Sequence, residues 1–164
     1  MSQFSNKTLL ITGGTGSFGN AVLNRFLKTD IKEIRIFSRD EKKQDDMRHE
    51  FQAKMPEVAD KIKFYIGDAL RLIPALGITF DLAFVDGDKR KYIEYYEMTL
   101  AHLSVGGYII ADNTLWDGHV LEEPHSNDHQ TIGIKAFNEL VAHDERIEKV
   151  ILPLRDGLTI IRKK

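Results

Sequence analysis

The sequence predicts an α/β fold, in which a mostly parallel β-sheet is covered by helices on both faces. Three observations lead to this prediction. Apolar strand-like segments alternate with amphipathic helical segments along the 164 residues, a glycine-rich loop joins the first strand to the first helix, and only a short turn separates the last two strands. A chain of this length is expected to form a single domain, residues 1–164.

Each element is predicted from its hydrophobic pattern and its flanking residues. The predicted strands are Thr8–Thr12, Glu33–Ser38, Lys63–Ile66, Phe80–Asp86, Gly107–Asp112, Glu148–Pro153 and Leu158–Arg162. The predicted helices are Phe18–Lys28, Glu41–Lys54, Ala69–Leu76, Lys91–Leu103 and Thr131–His143. Because Arg155-Asp156-Gly157 allows only a short turn, the last strand is expected to run antiparallel to its predecessor. The long segment 113–130 is expected to be irregular, and either functional or mobile.

The loop after the first strand reads Thr12-Gly13-Gly14-Thr15-Gly16-Ser17-Phe18-Gly19. Glycines in such a loop let the chain turn tightly and let a phosphate approach the backbone N–H groups at the helix N-terminus. The loop therefore predicts a Rossmann-like dinucleotide site, although the same glycines are also explained if they only shape a tight strand-to-helix turn. The candidate cofactor-binding residues in it are Gly13, Thr15, Gly16, Ser17, Phe18 and Gly19.

The residues after the second strand predict which dinucleotide binds. Arg39 has a planar guanidinium that suits the 2′-phosphate of NADP, while Ser38 adds a hydroxyl donor and Lys42 a positive charge. NADP is therefore favoured over NAD. Two alternatives stay open: Arg39 is an exposed surface arginine, or Asp40 contacts a ribose hydroxyl instead.

Residues 1–68 resemble extended short-chain dehydrogenases, and most closely the nucleotide-sugar 4,6-dehydratases that act on UDP-N-acetylglucosamine. The glycine loop carries this resemblance together with Phe37–Glu41 and Phe64–Asp68. The resemblance implies NADP, with Asp68 at the adenine amino group and Ala69 beside it. The Tyr-x-x-x-Lys pair of that family is absent from this sequence, so neither redox nor dehydratase activity is expected.

Residues 69–164 resemble the cation-dependent O-methyltransferases of the catechol and caffeoyl-CoA type. The matching segments are Phe80–Lys89 with Tyr92 and Tyr95-Tyr96, Gly106–Asn113, Trp116-Asp117-Gly118 and Leu152–Leu158. The resemblance implies that Asp86, Asp112 and Asn113 hold a divalent cation, usually magnesium. It also implies that Lys89 takes a proton from a substrate hydroxyl.

The residue types at the ends of the fourth and fifth strands agree with such a site. Asp86 and the pair Asp112-Asn113 would converge at the carboxyl edge of the sheet, and oxygen ligands suit magnesium. A lysine beside such an ion has its pKa lowered, which suits it as a base. Alternatively, the two aspartates only cap the helices that follow them. The histidines of the long segment are expected to be solvated rather than ligands; they are His119, His125 and His129.

The two resemblances meet near residues 66–69. The sequence lacks some of the cofactor-binding or catalytic residues that each family needs. The first loop is of dehydrogenase type, the second strand ends in Ser38-Arg39 rather than an acidic residue, and few residues precede the first strand. Because both families share the strand order 3-2-1-4-5, their fusion implies a doubly wound three-layer sheet of order 3-2-1-4-5-7-6. We therefore expect an engineered or recombined chimera of segments 1–68 and 69–164.

This interpretation predicts a protein that binds NADP, or its adenine-phosphate part, without native catalysis. It makes S-adenosylmethionine an unexpected ligand and leaves magnesium possible. The first alternative is a magnesium-dependent O-methyltransferase that uses S-adenosylmethionine, with Lys89 as its catalytic base. The second alternative is a purely structural protein that binds no ligand.

Composition limits the classes of partner. The net charge of −2 favours neither nucleic acid nor an anionic membrane, and the sequence contains no cysteine. No apolar run approaches the roughly 20 residues of a membrane-spanning helix. A cytoplasmic protein whose partner is a small-molecule dinucleotide is therefore expected.

Overall fold

The computed structural model describes residues 4–164, except for the side chain of Phe18. It contains a seven-stranded sheet in the order β3-β2-β1-β4-β5-β7-β6. The strands are β1 (Thr8–Thr12), β2 (Glu33–Ser38), β3 (Ile62–Ile66), β4 (Phe80–Val85), β5 (Leu103–Asp112), β6 (Ile147–Leu152) and β7 (Leu158–Lys163). The α-helices are α1 (Ser17–Leu27), α2 (Glu41–Lys54), α3 (Pro56–Ala59), α4 (Ala69–Leu76), α5 (Tyr92–His102) and α6 (His129–His143).

The predicted fold class and strand order are confirmed, including the antiparallel last strand. Several bounds differ from those predicted. Strand β5 starts four residues earlier, at Leu103, because its first residues pair with β4 across an irregularity in register between Phe80 and Leu82. A short 3-10 helix at Lys89–Lys91 precedes α5, and a kinked 3-10 segment lies within the stretch predicted to be irregular, at Trp116–Leu121.

Helices cover both faces of the central strands. Leu9, Leu10 and Ile11 in β1 are fully buried, as expected for a strand enclosed on both sides. Leu10 belongs to an apolar cluster with residues of α4, α5 and α6, whereas Leu9 and Ile11 belong to a second cluster with residues of α1 and α2. The described part of the chain has no helix long and apolar enough to cross a membrane.

The parallel strands bring their carboxyl ends to one edge of the sheet. Strand β1 pairs in parallel with β2 and β4, and β4 pairs in parallel with β5. At that edge the Thr12 hydroxyl donates to the Phe84 carbonyl and accepts from the Asp86 N–H, at 3.3 and 3.2 Å. The ends of β1 and β4 are thereby held together, and the residues that follow the strands face a common cavity.

Candidate functional site

A cavity of about 270 Å³ lies at the carboxyl edge of the sheet. Its walls come from the residues that follow β1, β2, β3 and β4, and from the start of the helical segment after β4. They are Thr12, Gly13, Phe37, Ser38, Arg39, Asp40, Gly67, Asp68, Ala69, Asp86, Gly87, Asp88, Lys91 and Tyr95. Of the predicted cofactor residues, the structure brings Gly13, Ser38, Arg39, Asp68 and Ala69 to this cavity, together with Asp86 of the predicted metal site.

The rest of the glycine loop does not line the cavity. The Thr15 and Ser38 hydroxyls are hydrogen-bonded to each other, 3.1 Å apart. Gly16 is the N-cap of α1, which begins with Ser17, and Gly19 packs within this first turn of the helix against the backbone of Gly14. Phe18 lies in the same turn, and its side chain is outside the described part of the chain.

Gly13 shows why the loop needs a glycine at its start. Its φ is +66°, and a Cβ atom built there would lie 2.4 Å from the Asp86 carbonyl oxygen. The turn therefore brings the backbone after β1 directly against the backbone after β4. This close approach supports the alternative that at least part of the glycine pattern serves the packing of the turn.

Both acidic residues beside the predicted nucleotide site are helix caps. Asp40 accepts from the Lys43 N–H at 3.0 Å, and this hydrogen bond holds the pKa of the Asp40 carboxyl below its ordinary value. Asp68 accepts from the Leu70 N–H at 3.0 Å. Both carboxylates lie in the wall of the cavity. The second oxygen of Asp40 is 3.4 Å from Lys43 Nζ, and a carboxylate oxygen has more than one acceptor site, so both side chains keep acceptor capacity for a ligand.

Next to the cavity lies a buried lysine. Lys89 is 3% exposed, and its Nζ atom is 3.3 Å from Asp86 Oδ1 and 3.3 Å from the Asp112 carbonyl oxygen. Nζ also donates to the Tyr92 hydroxyl, which in turn donates to the Asp112 carbonyl at 2.7 Å. The ring of Trp116 covers the group, with its centroid 5.9 Å from Nζ. These contacts join the ends of β4 and β5 through one amine.

Burial sets the charge balance of this cluster. It lowers the pKa of Lys89, although the nearby carboxylate of Asp86 opposes that shift. It also raises the pKa of Asp112, an effect to which repulsion from Asp86 and Asp156 adds. Three carboxylates thus interact around one lysine, and the excess negative charge is what a cation site requires.

The predicted metal residues have the right chemistry for a hard cation. Asp86 and Asp112 offer carboxylate oxygens, and Asn113, with φ of +57°, offers an amide oxygen directly after β5. Among the described residues there is no group of three His, Cys, Asp or Glu side chains that could hold a metal, so the amide would have to complete the set. His119, His125 and His129 are exposed at the surface.

Sequence reasoning missed Asp156 as a member of this electrostatic cluster. It lies in the turn between β6 and β7, where its carbonyl accepts from the Leu115 N–H at 2.9 Å and its carboxylate accepts from the Asp117 N–H. The motif Leu152–Leu158 had drawn attention to this turn. Only the strand order shows that the turn reaches the end of β5, 44 residues earlier in the chain.

A family model described as O-methyltransferase matches residues 19–164. The SAH-bound methyltransferase PaMTH1 from Podospora anserina is 28% identical, with a TM-score of 0.80 over 96% of this chain and 72% of that one. An O-methyltransferase from Bacillus cereus, solved in complex with SAH, is 26% identical, with a TM-score of 0.83 over 96% of this chain and 74% of that one.

Curated relatives match a shorter part of the chain. UDP-glucose 4-epimerases from Rickettsia bellii and Rickettsia typhi are 70% and 67% identical over 70 residues, which is 40% of this chain. That stretch is 19% of each epimerase, so the chain spans about a fifth of the length of these curated relatives. The similarity agrees with a resemblance to nucleotide-sugar enzymes, but a fusion of segments 1–68 and 69–164 stays a prediction.

The expectation of an NADP-binding protein without catalysis is wrong. The O-methyltransferase match begins at residue 19 and therefore includes most of the segment that resembles a dehydrogenase, and structures with bound SAH share the fold over nearly the whole chain. The ligand bound in these two neighbouring structures is SAH, not NADP. Neither the family model nor the structures with bound SAH support the description of the chain as engineered and dehydrogenase-like.

The structure supplies the physical reason for the error. The hydroxyls of Thr15 and Ser38, expected to donate to phosphates, are paired with each other. Lys42, expected beside a 2′-phosphate, lies in the wall of a separate surface pocket with Glu41, Asp45, Arg48 and Ile66. Arg39 is exposed and lines the cavity, which does not decide between a ligand contact and a surface arginine.

Proposed function

Because the chain belongs to the O-methyltransferase family, we propose that it transfers a methyl group from S-adenosylmethionine to a hydroxyl of a small aromatic substrate of the catechol type, with magnesium as the activating cation. One observation carries the proposal. Asp86 lies in the wall of the nucleoside-sized cavity and also contacts buried Lys89, so a cofactor site and a basic group adjoin each other.

The residues that line the cavity suit the nucleoside part of the methyl donor. Asp40, two residues beyond β2, would accept from the ribose hydroxyls through the capacity that its helix cap leaves free. Asp68 would accept from the adenine amino group, with Ala69 beside it. Gly13, which lines the cavity beside Asp86, would contact the rest of the donor.

Asp86, Asp112 and Asn113 would hold the cation. Their oxygen atoms suit magnesium, whose positive charge would offset the repulsion between Asp86 and Asp112. When bound, S-adenosylmethionine supplies an electrophilic methyl group on sulfonium sulfur, and magnesium lowers the pKa of the substrate hydroxyl.

Lys89 would take the proton of that hydroxyl. As a neutral amine it has a lone pair, and burial favours the neutral form by lowering its pKa. The new bond joins the substrate oxygen to the methyl carbon, the bond from carbon to sulfur breaks with its electron pair staying on sulfur, and the proton ends on Nζ. The Tyr92 hydroxyl and the Asp112 carbonyl would hold Nζ in place through this transfer.

The test is formation of S-adenosylhomocysteine from S-adenosylmethionine, catechol and magnesium, followed by mass spectrometry. We expect turnover that EDTA abolishes, and a loss of about 10²–10⁴-fold in kcat for Lys89→Met. Asp112→Asn should lose activity that excess magnesium partly restores. Glu94→Gln, an exposed change on the neighbouring helix, is the matched control and should behave as the unchanged protein. Absence of turnover, together with no binding of S-adenosylhomocysteine in calorimetry, would refute the proposal.

A further inference from the structure

We propose that Asn138 and Thr159 are positioning residues, which fix the cation ligand Asn113 relative to Lys89 by holding Thr114. This inference rests on the proposed function, because it assigns a role to residues that support its cation site. Neither residue lines the nucleoside cavity, and both lie far from Asn113 in the sequence.

Thr114 is fully buried, and its polar groups are held by three different parts of the chain. Its N–H donates to the Gly157 carbonyl at 3.1 Å. Its carbonyl accepts from Asn138 Nδ2 of α6 at 2.8 Å, and its hydroxyl accepts from the Thr159 hydroxyl of β7 at 2.9 Å. The residue directly after Asn113 is therefore fixed from a helix, a strand and a turn.

Asn113 needs such support because its backbone is strained. Its φ of +57° is in the left-handed region, which is unfavourable for a residue with a side chain and persists only where the surroundings hold it. If Thr114 were released, Asn113 would relax toward negative φ. That change would move its side chain relative to Asp86 and Asp112 at the ends of β4 and β5.

Only one of the two polar atoms in the Asn138 side-chain amide makes a hydrogen bond. Its Nδ2 atom makes the hydrogen bond to Thr114, whereas its Oδ1 atom is buried without a partner. An unpartnered buried oxygen is costly, so a polar side chain at this place calls for an explanation. The donor that it provides to the carbonyl of Thr114 is that explanation.

The same helix also contacts the segment that carries Lys89. A Cβ atom at Gly133 would lie 2.4 Å from the Lys89 carbonyl oxygen, so α6 packs directly on that backbone. Phe137 packs edge-on against the ring of Tyr92, with centroids 5.3 Å apart, and Tyr92 binds the amine of Lys89. Helix α6 thus contacts both the base and the loop of the cation ligand, and sets the distance between them.

The test compares cation binding in matched variants, with Mn²⁺ as the probe. Asn138→Leu removes the donor, Thr159→Val removes the hydroxyl at nearly constant shape, and Thr159→Ser keeps the hydroxyl. Binding of Mn²⁺ is measured by electron paramagnetic resonance and that of S-adenosylhomocysteine by calorimetry. We expect Asn138→Leu and Thr159→Val to weaken Mn²⁺ binding about 10–100-fold. Affinity for S-adenosylhomocysteine should stay unchanged, and Thr159→Ser should restore cation binding.

Two further proteins separate the possible failures. Glu139→Gln, an exposed change next to Asn138, should bind Mn²⁺ normally. If the unchanged protein binds Mn²⁺ and Asp112→Asn does not, but Asn138→Leu and Thr159→Val bind it normally, the positioning role is refuted while the proposed function stands. If Mn²⁺ binding is absent from the unchanged protein too, both proposals fail at the cation site.

Discussion

Lys89 combines near-complete burial with contacts to a carboxylate, a phenol and a carbonyl. A charged amine in such a place loses hydration, and the carboxylate of Asp86 restores only part of that loss, so the pKa falls. Tyr92 shows the matching effect, since burial raises the pKa of its phenol well above the ordinary value. The phenol therefore stays neutral, and the amine is the group of this pair that can exchange a proton.

The lowered pKa of Lys89 predicts the pH dependence of the proposed reaction. A base works only when it is deprotonated, so kcat should rise with pH and level off once the pH exceeds a pKa below the ordinary 10.5. The profile is measured with S-adenosylmethionine, magnesium and catechol at saturating concentrations. Lys89→Arg, which stays protonated throughout, should have a low kcat at every pH. If kcat of that variant rose with pH at the same midpoint as in the unchanged protein, Lys89 would not be the base.

Asp144 is a second buried charge, and we expect it to determine stability in acid. Its carboxylate accepts from Arg146 and from the Tyr96 hydroxyl, at 2.7 Å from the latter, and the bonds from Arg146 hold its pKa well below the ordinary value of 3.8. A depressed pKa stabilises the folded protein at pH values above 3.8, and this contribution is lost as the pH falls through the folded-state value.

The variant Asp144→Asn tests this expectation. At pH 7 it should unfold about 1–3 kcal/mol more easily in urea, because it weakens the bonds to Arg146 and Tyr96. Below pH 4 the difference from the unchanged protein should shrink. His143→Gln, an exposed change one residue earlier, is the control. A difference that is independent of pH would show that packing, rather than charge, is what the substitution disturbs.

At the scale of elements, α6 can pack closely against the backbone of Lys89 because Gly133 has no side chain. Gly133→Ala improves helix propensity by about 1 kcal/mol, yet its Cβ would collide with the Lys89 carbonyl. We therefore expect a net loss of stability of about 1–3 kcal/mol in thermal or urea unfolding. Ala136→Gly, exposed on the same helix, should cost only the propensity difference of about 1 kcal/mol. A stabilised Gly133→Ala protein would mean that α6 does not approach Lys89 so closely.

The features that could be predicted from the sequence are those that depend on the order of residues within one segment. Apolar spacing located the strands, and the resemblances supplied their order and the residues Asp86, Lys89, Asp112 and Asn113. Asn138 and Thr159 were not found, because they meet the loop after β5 only through the insertion of β7 and the packing of α6. Asp156 lies inside the recognised motif Leu152–Leu158, but its place beside the end of β5 depends on the same insertion.

The NADP prediction failed for a related reason. Thr15, Ser38 and Lys42 are residue types that bind phosphate, and their spacing along the chain suits it. Whether such groups are free to bind depends on their partners in the folded protein. Here two of them are hydrogen-bonded to each other, so one hydroxyl hydrogen of the pair is already used, and the third belongs to another pocket; residue types in the sequence do not reveal this.

At the scale of the whole molecule, the sheet separates two apolar clusters, and one of them reaches the proposed site, where Phe37, Ala69 and Tyr95 line the cavity. Because the lining comes from four strands, a bound nucleoside would contact the ends of the sheet on both sides of β1. Ligand binding should therefore stabilise the molecule as a unit rather than one segment of it.

Thermal unfolding with S-adenosylhomocysteine tests this. At a concentration 100 times its Kd, a ligand that binds only the folded state adds about 2.7 kcal/mol, which corresponds to several degrees in Tm. Asp40→Asn should reduce that shift, since it removes the proposed ribose acceptor, while Asp45→Asn, exposed on α2, should not. A single transition that shifts as a whole is expected; an unshifted transition at saturating ligand would contradict the cofactor assignment.

The position of β7 has a consequence for how the chain is made. This strand lies between β5 and β6, and β6 pairs with no other strand in the described residues. While a ribosome is still synthesising the polypeptide, β5 presents an open edge and β6 has nothing to pair with, so the sheet closes only after residues 158–163 emerge from the exit tunnel. Completion of the sheet, and with it the hydrogen bonds that hold Thr114 from β7 and from the turn before it, is thus expected only once this strand has emerged.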